Sequence, residues 1–273
     1  MKPAMRRSLA RLCVGLGLAM PVPLLAEGWG EVTTPLAGPA RSIGQPGAGC
    51  LAGAQALPSE GPGYQAVELQ RNRYYGHPTL IDYLQALGER LSHAGIGPVL
   101  IGDLAQPRGG PMSYGHVSHQ TGLDVDIWFR LDVPSLPADQ RTGLAQPVLV
   151  DAEGRLDPRW SAAHARLVRL AADDPRVARV FVDAAIKRDL CAREWDDRTW
   201  LRRIRPWPAH DEHLHVRLRC PPGDEACIDQ PEPPPGEGCD AIAATPRAVV
   251  AAEPSPAPRL PAACQSVLEQ PHG

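Results

Sequence analysis

Apolar positions along this chain fall into a few periodic stretches separated by long irregular ones. Leu80, Leu84, Leu87 and Leu91 recur at helical spacing, which predicts a helix over 79–93 that stops at Gly95. The run at 98–102 (Pro-Val-Leu-Ile-Gly) is short and apolar, as a buried strand is. Leu123, Val125, Ile127 and Phe129 then alternate with Asp124, Asp126 and Trp128, the period of a strand with one apolar face. Ala163, Leu167, Leu170 and Ala171 predict a second helix over 160–172, ended by Pro175, and 177–182 reads as another strand. Asp183 is placed to cap a helix over 184–193 that turns Ile186 and Leu190 inward. The stretch 213–219 alternates again: His213, His215, Arg217 and Arg219 share one face, and Leu214, Val216 and Leu218 the other.

The remainder has no sustained period. Residues 27–63 are rich in Gly, Pro, Ala and Ser and read as an irregular N-terminal arm, and 134–157 reads as loop. Beyond Cys220 the chain is Pro-rich with few large apolar residues, so it cannot build a core of its own. Helices and strands do not alternate regularly, which points to an α+β fold: a sheet with flanking helices and long tied loops. One domain over 27–230 is expected, with 231–273 as a tail strapped across it.

Composition changes this picture in three places. A length of 273 residues is enough for one domain with extensions, and a net charge of −3 excludes a large basic nucleic-acid surface. Lys2, Arg6 and Arg7 precede an apolar run from Leu9 to Leu25, followed by Ala26, which predicts a secretory signal over 1–26. Pro21 and Pro23 break that run before it could span a bilayer, so no membrane span is expected after cleavage. Cys13 would leave with the signal. Cys50, Cys191, Cys220, Cys227, Cys239 and Cys264 then form an even set which, in an oxidising compartment, implies three disulfides in any of fifteen pairings. No CxxC pair favours cysteine-bound zinc instead.

The chemistry is concentrated in two short stretches. Ser-Tyr-Gly-His-Val-Ser-His-Gln-Thr-Gly-Leu-Asp-Val-Asp at 113–126 and His-Asp-Glu-His-Leu-His at 210–215 hold five of the nine histidines. Asp124 and Asp126 on one strand face are costly unless a cation or donors receive them. His119, Asp126 and His215 therefore form a candidate catalytic zinc site of three ligands, with His116 as a further ligand or a supporting donor. Asp124 is expected to orient a ligand imidazole. His213, beside His215 on the same face, is the candidate general base, with His210 orienting water or binding substrate. Glu212 competes for the base role. It points to the opposite face if the strand includes it, and gains if the strand begins only at His213. His77, His93, His164 and His272 read as ordinary surface or core residues. Arg217 and Arg219 could receive a substrate carboxylate, although solvated strand-end charge is the simpler account. Ser113 and Ser118 lack the Gly-x-Ser-x-Gly elbow of a serine hydrolase.

With these residues in hand, the chain resembles the penicillin-insensitive murein endopeptidases. These belong to a wider group of zinc peptidases that includes lysostaphin, the D-Ala-D-Ala peptidases and the hedgehog domain. The shared pattern is His, six residues, Asp, and later His-x-His, met here by His119, Asp126, His213 and His215. Longer strings carry the likeness further: 113–128, Val-Phe-Val-Asp-Ala-Ala-Ile-Lys at 180–187, and 205–220. The resemblance spans about Cys50 to Cys264. It implies a hedgehog-like sheet, zinc at His119, Asp126 and His215 with His116 at the metal site, and His213 and His210 as catalytic histidines. It also implies cleavage of D-alanyl–meso-diaminopimelyl amide cross-links of peptidoglycan in the periplasm, and disulfides Cys50–Cys264, Cys191–Cys239 and Cys220–Cys227. Some members carry a further Asp/His pair after the first strand. No histidine lies between His119 and His164 here, so no second metal is expected. The alternatives are a zinc D,D-carboxypeptidase and a metal-stabilised wall-binding protein without activity.

Overall fold

A computed structural model describes residues 28–243 and 259–270; the leader expected over 1–26 and His272 lie outside them. After a 3-10 turn at Trp29–Glu31, β1 (Arg41–Gln45) and β2 (Ala48–Ala52) form an antiparallel hairpin. Strands β3 (Gln55–Ala56), β4 (Glu60–Gly61), β5 (Tyr64–Ala66) and β6 (Tyr75–Gly76) are short and lead to α1 (Pro78–His93). Next come β7 (Val99–Ile101), β8 (Asp124–Trp128), α2 (Ala162–Ala172), β9 (Val177–Val182), α3 (Ala184–Ala192), β10 (Ile204–Pro206) and β11 (His213–Leu218). Two tail helices follow, α4 (Cys239–Ala243) and α5 (Ala262–Glu269).

The main sheet runs β10-β9-β11-β8-β7-β5-β4. Its centre is antiparallel, and parallel pairs stand on either side, β10 with β9 and β5 with β7. Pro206 lies on the edge strand β10, where a missing N–H costs no ladder bond. Val125, Ile127, Leu214 and Val216 point to one face and are fully buried with the apolar sides of α1 and α2. Tyr83 fastens the two helices by donating to the Ala171 carbonyl at 2.8 Å. The opposite face of β8 and β11 carries Asp124, Asp126, His213, His215 and Arg217, because His215 pairs with Asp126 and Arg217 with Asp124. One alternation thus makes core on one side and a polar floor on the other.

Three of the four histidines read as ordinary can be placed. His77 caps α1, its Nδ1 accepting from the Thr79 N–H. His164 completes a capping box on α2, accepting at Nδ1 from the Ser161 N–H and donating at Nε2 to the Phe129 carbonyl at 2.8 Å. His93 is exposed in the last turn of α1. Asp183 caps α3 as expected, accepting from the Ala185 N–H at 2.7 Å.

The N-terminal arm is more regular than its composition predicts. β2 is Ala-Gly-Cys-Leu-Ala and every residue of it is buried. A Cβ at Gly49 would stand 2.5 Å from Thr121 Cγ2, so only glycine lets the loop before β8 pass so close. A strand of small residues covered on both faces shows neither alternation nor a large apolar run, and therefore escapes detection by period. The short strands β5 and β10 escape for a similar reason, since three residues cannot display a period.

Cys50–Cys264, Cys191–Cys239 and Cys220–Cys227 are joined, the pairing that the resemblance implies. The first two hold the tail: α5 packs Cys264 and Val267 against Trp29, Ile43 and Ala52, and α4 is tied to α3. Buried Arg108 also grips α5, donating from Nη1 to the Val267 and Gln270 carbonyls at 2.8 and 2.7 Å. No described helix is long and apolar enough to cross a membrane.

Candidate metal centre

The β7–β8 connection and the turn before β11 bring the two histidine-rich stretches together on the polar face of the sheet. Gln120 pins the first: its side chain accepts from the Gly49 N–H at 3.1 Å and donates to the Gly47 and Val117 carbonyls. His119 has φ 69° and Ala209, just before His210, has φ 58°, a left-handed region that residues with a Cβ rarely adopt. Strain of this kind is held by the surrounding structure, and at both places it aims a histidine.

Three imidazoles share one arrangement. His119 is fully buried and its Nδ1 meets the Leu104 carbonyl at 3.0 Å, which makes Nδ1 the protonated nitrogen and leaves Nε2 bare. His215 Nε2 meets Asp124 Oδ1 at 2.6 Å, leaving Nδ1 bare. His116 Nε2 meets Asp103 Oδ2 at 3.0 Å, leaving Nδ1 bare. Each bare nitrogen turns to the same carboxylate. His119 Nε2 and His215 Nδ1 are both 3.5 Å from Asp126 Oδ1, and His116 Nδ1 is 3.2 Å from Asp126 Oδ2.

That pattern fits a bound metal ion. His119 Nε2 and Asp126 Oδ1 are buried with no hydrogen-bond partner, a costly state for a nitrogen lone pair and a carboxylate oxygen. Two ligands of a tetrahedral zinc, each about 2.0–2.1 Å from the ion, stand roughly 3.3–3.4 Å apart, close to the separations found. His116, His119 and Asp126 also form a group whose ligand atoms lie within 4.8 Å of one another. Oxygen partners on the far nitrogens orient the rings and raise their basicity.

The electrostatics point the same way. Burial by itself would raise the Asp126 carboxyl, but His213, His119 and His116 outweigh it and hold it well below the usual carboxylate range. Asp124 follows the same balance, with burial opposed by Arg217 and His215, and is also lowered. Burial pushes His215 down to about 3. For His119 burial acts downward too, but Asp126 prevails and the group is raised. Ionised carboxylates beside a neutral His215 make a floor suited to a cation.

Asp103 is a residue that the periodic reading of the chain misses. It lies two residues beyond β7, and besides His116 it receives the buried Arg73 at 3.0 Å and Arg71 at 3.5 Å. Burial would raise it, yet His116 and the two arginines bring it below its ordinary value. Arg73 in turn donates to the Tyr114 carbonyl and lies 4.1 Å from that ring's centre, fixing the loop that carries His116. A carboxylate at the end of an apolar run was the only sequence signal for this support.

His213 and His210 stand beside these three imidazoles. His213 Nε2 is 3.7 Å from Asp126 Oδ1, and its ring centre is 5.0 Å from that of His210. His210 donates from Nδ1 to the Pro208 carbonyl at 2.8 Å, and burial followed by His213 pushes it down to about 4, so its Nε2 is an acceptor at neutral pH. Both line a cleft of about 540 Å³ together with His116, His215, Phe181 and Trp207.

Glu212 is placed elsewhere. The named strand does begin at His213, the condition that favoured Glu212, but the ladder runs one residue further, since the Phe129 N–H donates to the Glu212 carbonyl at 3.0 Å. With the Gln146 amide oriented to match donors with acceptors, it donates to Glu212 Oε2 at 2.8 Å and accepts from Trp128 Nε1. Glu212 is absent from the cleft lining, and burial followed by Asp211 raises its carboxyl.

Comparison with known proteins shows the family of the chain. A family model described as penicillin-insensitive murein endopeptidase matches residues 42–269. A protein of that name from Klebsiella pneumoniae is 42% identical over 255 residues, covering 90% of this chain and 93% of its own. One from Escherichia coli O157:H7 is 42% identical over 265 residues, covering 93% and 95%. One from Salmonella paratyphi B is 42% identical over 254 residues, covering 90% and 93%.

Proposed function

The chain belongs to the penicillin-insensitive murein endopeptidase family, and from that premise we propose a periplasmic zinc metalloendopeptidase that hydrolyses D-alanyl–meso-diaminopimelyl cross-links of peptidoglycan. The observation that carries this reading is the set of three anchored imidazoles whose bare nitrogens turn to Asp126, two of them, His116 and His215, lining a cleft that also holds His213 and His210. Three disulfides and the expected leader support an oxidising compartment outside the cytoplasm.

His119 through Nε2, His215 through Nδ1, Asp126 through its carboxylate and His116 through Nδ1 are the groups that would hold the ion. When bound, zinc supplies Lewis-acid polarisation of the scissile carbonyl and makes the attacking water more acidic. His213 takes that water's proton at Nε2, the nitrogen facing Asp126, and passes it to the leaving amine. His210, kept neutral by burial and by His213, accepts a hydrogen bond at Nε2 and orients the water. Asp124, Leu104 and Asp103 keep the ligand rings in the tautomer that presents a bare nitrogen. Phe181 and Trp207 form an apolar wall against which a stem peptide lies while water is excluded.

The test is digestion of purified cross-linked sacculi by the mature protein, with muropeptides resolved by mass. Dimers should convert to monomers, chelator should stop the conversion, and zinc should restore it. Loss of terminal D-alanine alone, or no change at all, would sink the endopeptidase reading.

A further inference from the structure

Two arginines stand directly opposite each other in the sheet, and one of them, Arg217, lines the cleft. Arg179 on β9 pairs in register with Arg217 on β11, on the same face as the ligands. Like charges at such positions are destabilising unless something negative receives them. Asp124 receives only one, accepting from Arg217 Nε at 2.7 Å. Both guanidinium groups also donate to a single neutral oxygen, Gln230 Oε1, at 2.7 Å from Arg217 and 3.1 Å from Arg179. Among the described residues Arg179 has no carboxylate partner of its own. Burial, then Arg217 and Arg205, lowers it.

Arg217 is held from several directions. Asp124 fixes its Nε edge, Gln230 its Nη1, and the Phe181 ring lies 5.1 Å from its Cζ. Nη2 has no protein partner among the described residues, and Arg217, Phe181 and Gln230 all line the cleft. Arg217 is buried as a residue and held on two of its edges, so this remaining donor is preorganised where the side chain meets the cleft. Arg217 follows ligand His215 by two residues on one strand face, a separation of roughly 6.6–6.8 Å along the backbone. In the substrate of the proposed reaction, the carbon bearing the scissile nitrogen also carries a free carboxylate.

We propose that Arg217, backed by Arg179, is the specificity-determining residue that binds the carboxylate on the leaving side of the scissile amide. This inference rests on the cross-link reading. It explains the unmatched positive charge at this end of the floor, and it favours an acidic leaving group over its amide. A charge-assisted hydrogen bond at a buried site corresponds to about a tenfold preference or more.

The experiment uses the zinc-loaded protein and two synthetic cross-linked peptides. They differ only in whether the leaving-side carboxylate is free or amidated, and kcat/KM is measured for each. The wild type should prefer the acid about tenfold or more, mainly through KM, and Arg217→Gln should bring the ratio close to one. A purely structural role for Arg217, through Asp124 and His215, would slow both peptides equally and keep the ratio, which overturns the proposal. Gln230→Glu, at an exposed position, provides a second variant. Its carboxylate competes for the guanidinium groups, so the acid preference should fall several-fold, and an unchanged preference counts against the role. Equal cleavage of both peptides by the wild type defeats the carboxylate role alone. No cleavage of either defeats the cross-link reading and this proposal with it.

Discussion

Strands β8 and β11 present two faces that differ in almost every physical respect. On one, Val125, Ile127, Leu214 and Val216 are sealed beneath α1 and α2 with no polar atom to satisfy. On the other, Asp124, Asp126, His213, His215 and Arg217 occupy the alternate positions of the same residues' neighbours. The first face stabilises by removing apolar surface from water, and it tolerates small changes of shape. The second leaves His119 Nε2, Asp126 Oδ1 and His213 Nδ1 buried without hydrogen bonds, so it stores a cost that a ligand can offset. The fold is thus secured on one side of a pleat and kept incomplete on the other.

The sharpest way to break this division is to remove a proposed ligand. His119→Ala should lower kcat/KM by roughly a thousandfold or more and abolish stoichiometric zinc, while circular dichroism remains that of a folded protein. Zinc content by elemental analysis together with muropeptide assays checks this. Removal of the proposed base should leave metal binding intact: His213→Ala should cost on the order of 10²–10⁴ in kcat with zinc retained. Glu212→Gln in the same assay should stay within about threefold, and a larger loss would transfer the base role to Glu212.

The apolar face should respond in stability alone. Leu214→Ala, buried under α2, should cost about 2–5 kcal/mol of unfolding free energy, read by denaturant titration, with the folded fraction keeping its zinc and its kcat. If that variant lost metal while remaining folded, the two faces would not be separable. A milder loss of metal is expected from Asp103→Asn, which removes the charge that holds His116. Metal affinity should fall about 10–100-fold in a competition titration, with little change in thermal stability of the chelated protein.

The sequence was legible where a period or a cluster existed. Alternation located β8 and β11 and put both aspartates on the side of His213 and His215, and helical spacing located α1 and α2. Asp124 was expected to orient an imidazole, and it lies 2.6 Å from His215 Nε2. What stayed hidden was long-range or small. Asp103 meets His116 only because the β7–β8 connection doubles back, and no local spacing encodes that return. The hairpin of β1 and β2 is built from glycine, alanine and cysteine, which bury well but leave no pattern. Phe181 and Trp207 become walls of the cleft through the order of strands in the sheet, which period alone does not specify.

The strap between the two ends of the chain sets a timetable. The hairpin turn, Gln45 to Gly47, forms part of the cleft wall, and Cys50 a few residues on is bonded to Cys264. A chain that leaves a ribosome or a translocation pore N-terminus first delivers Cys264 almost last. Until then the wall has no covalent tether, however early the histidines arrive. Completion of the working cleft is thereby coupled to completion of the chain.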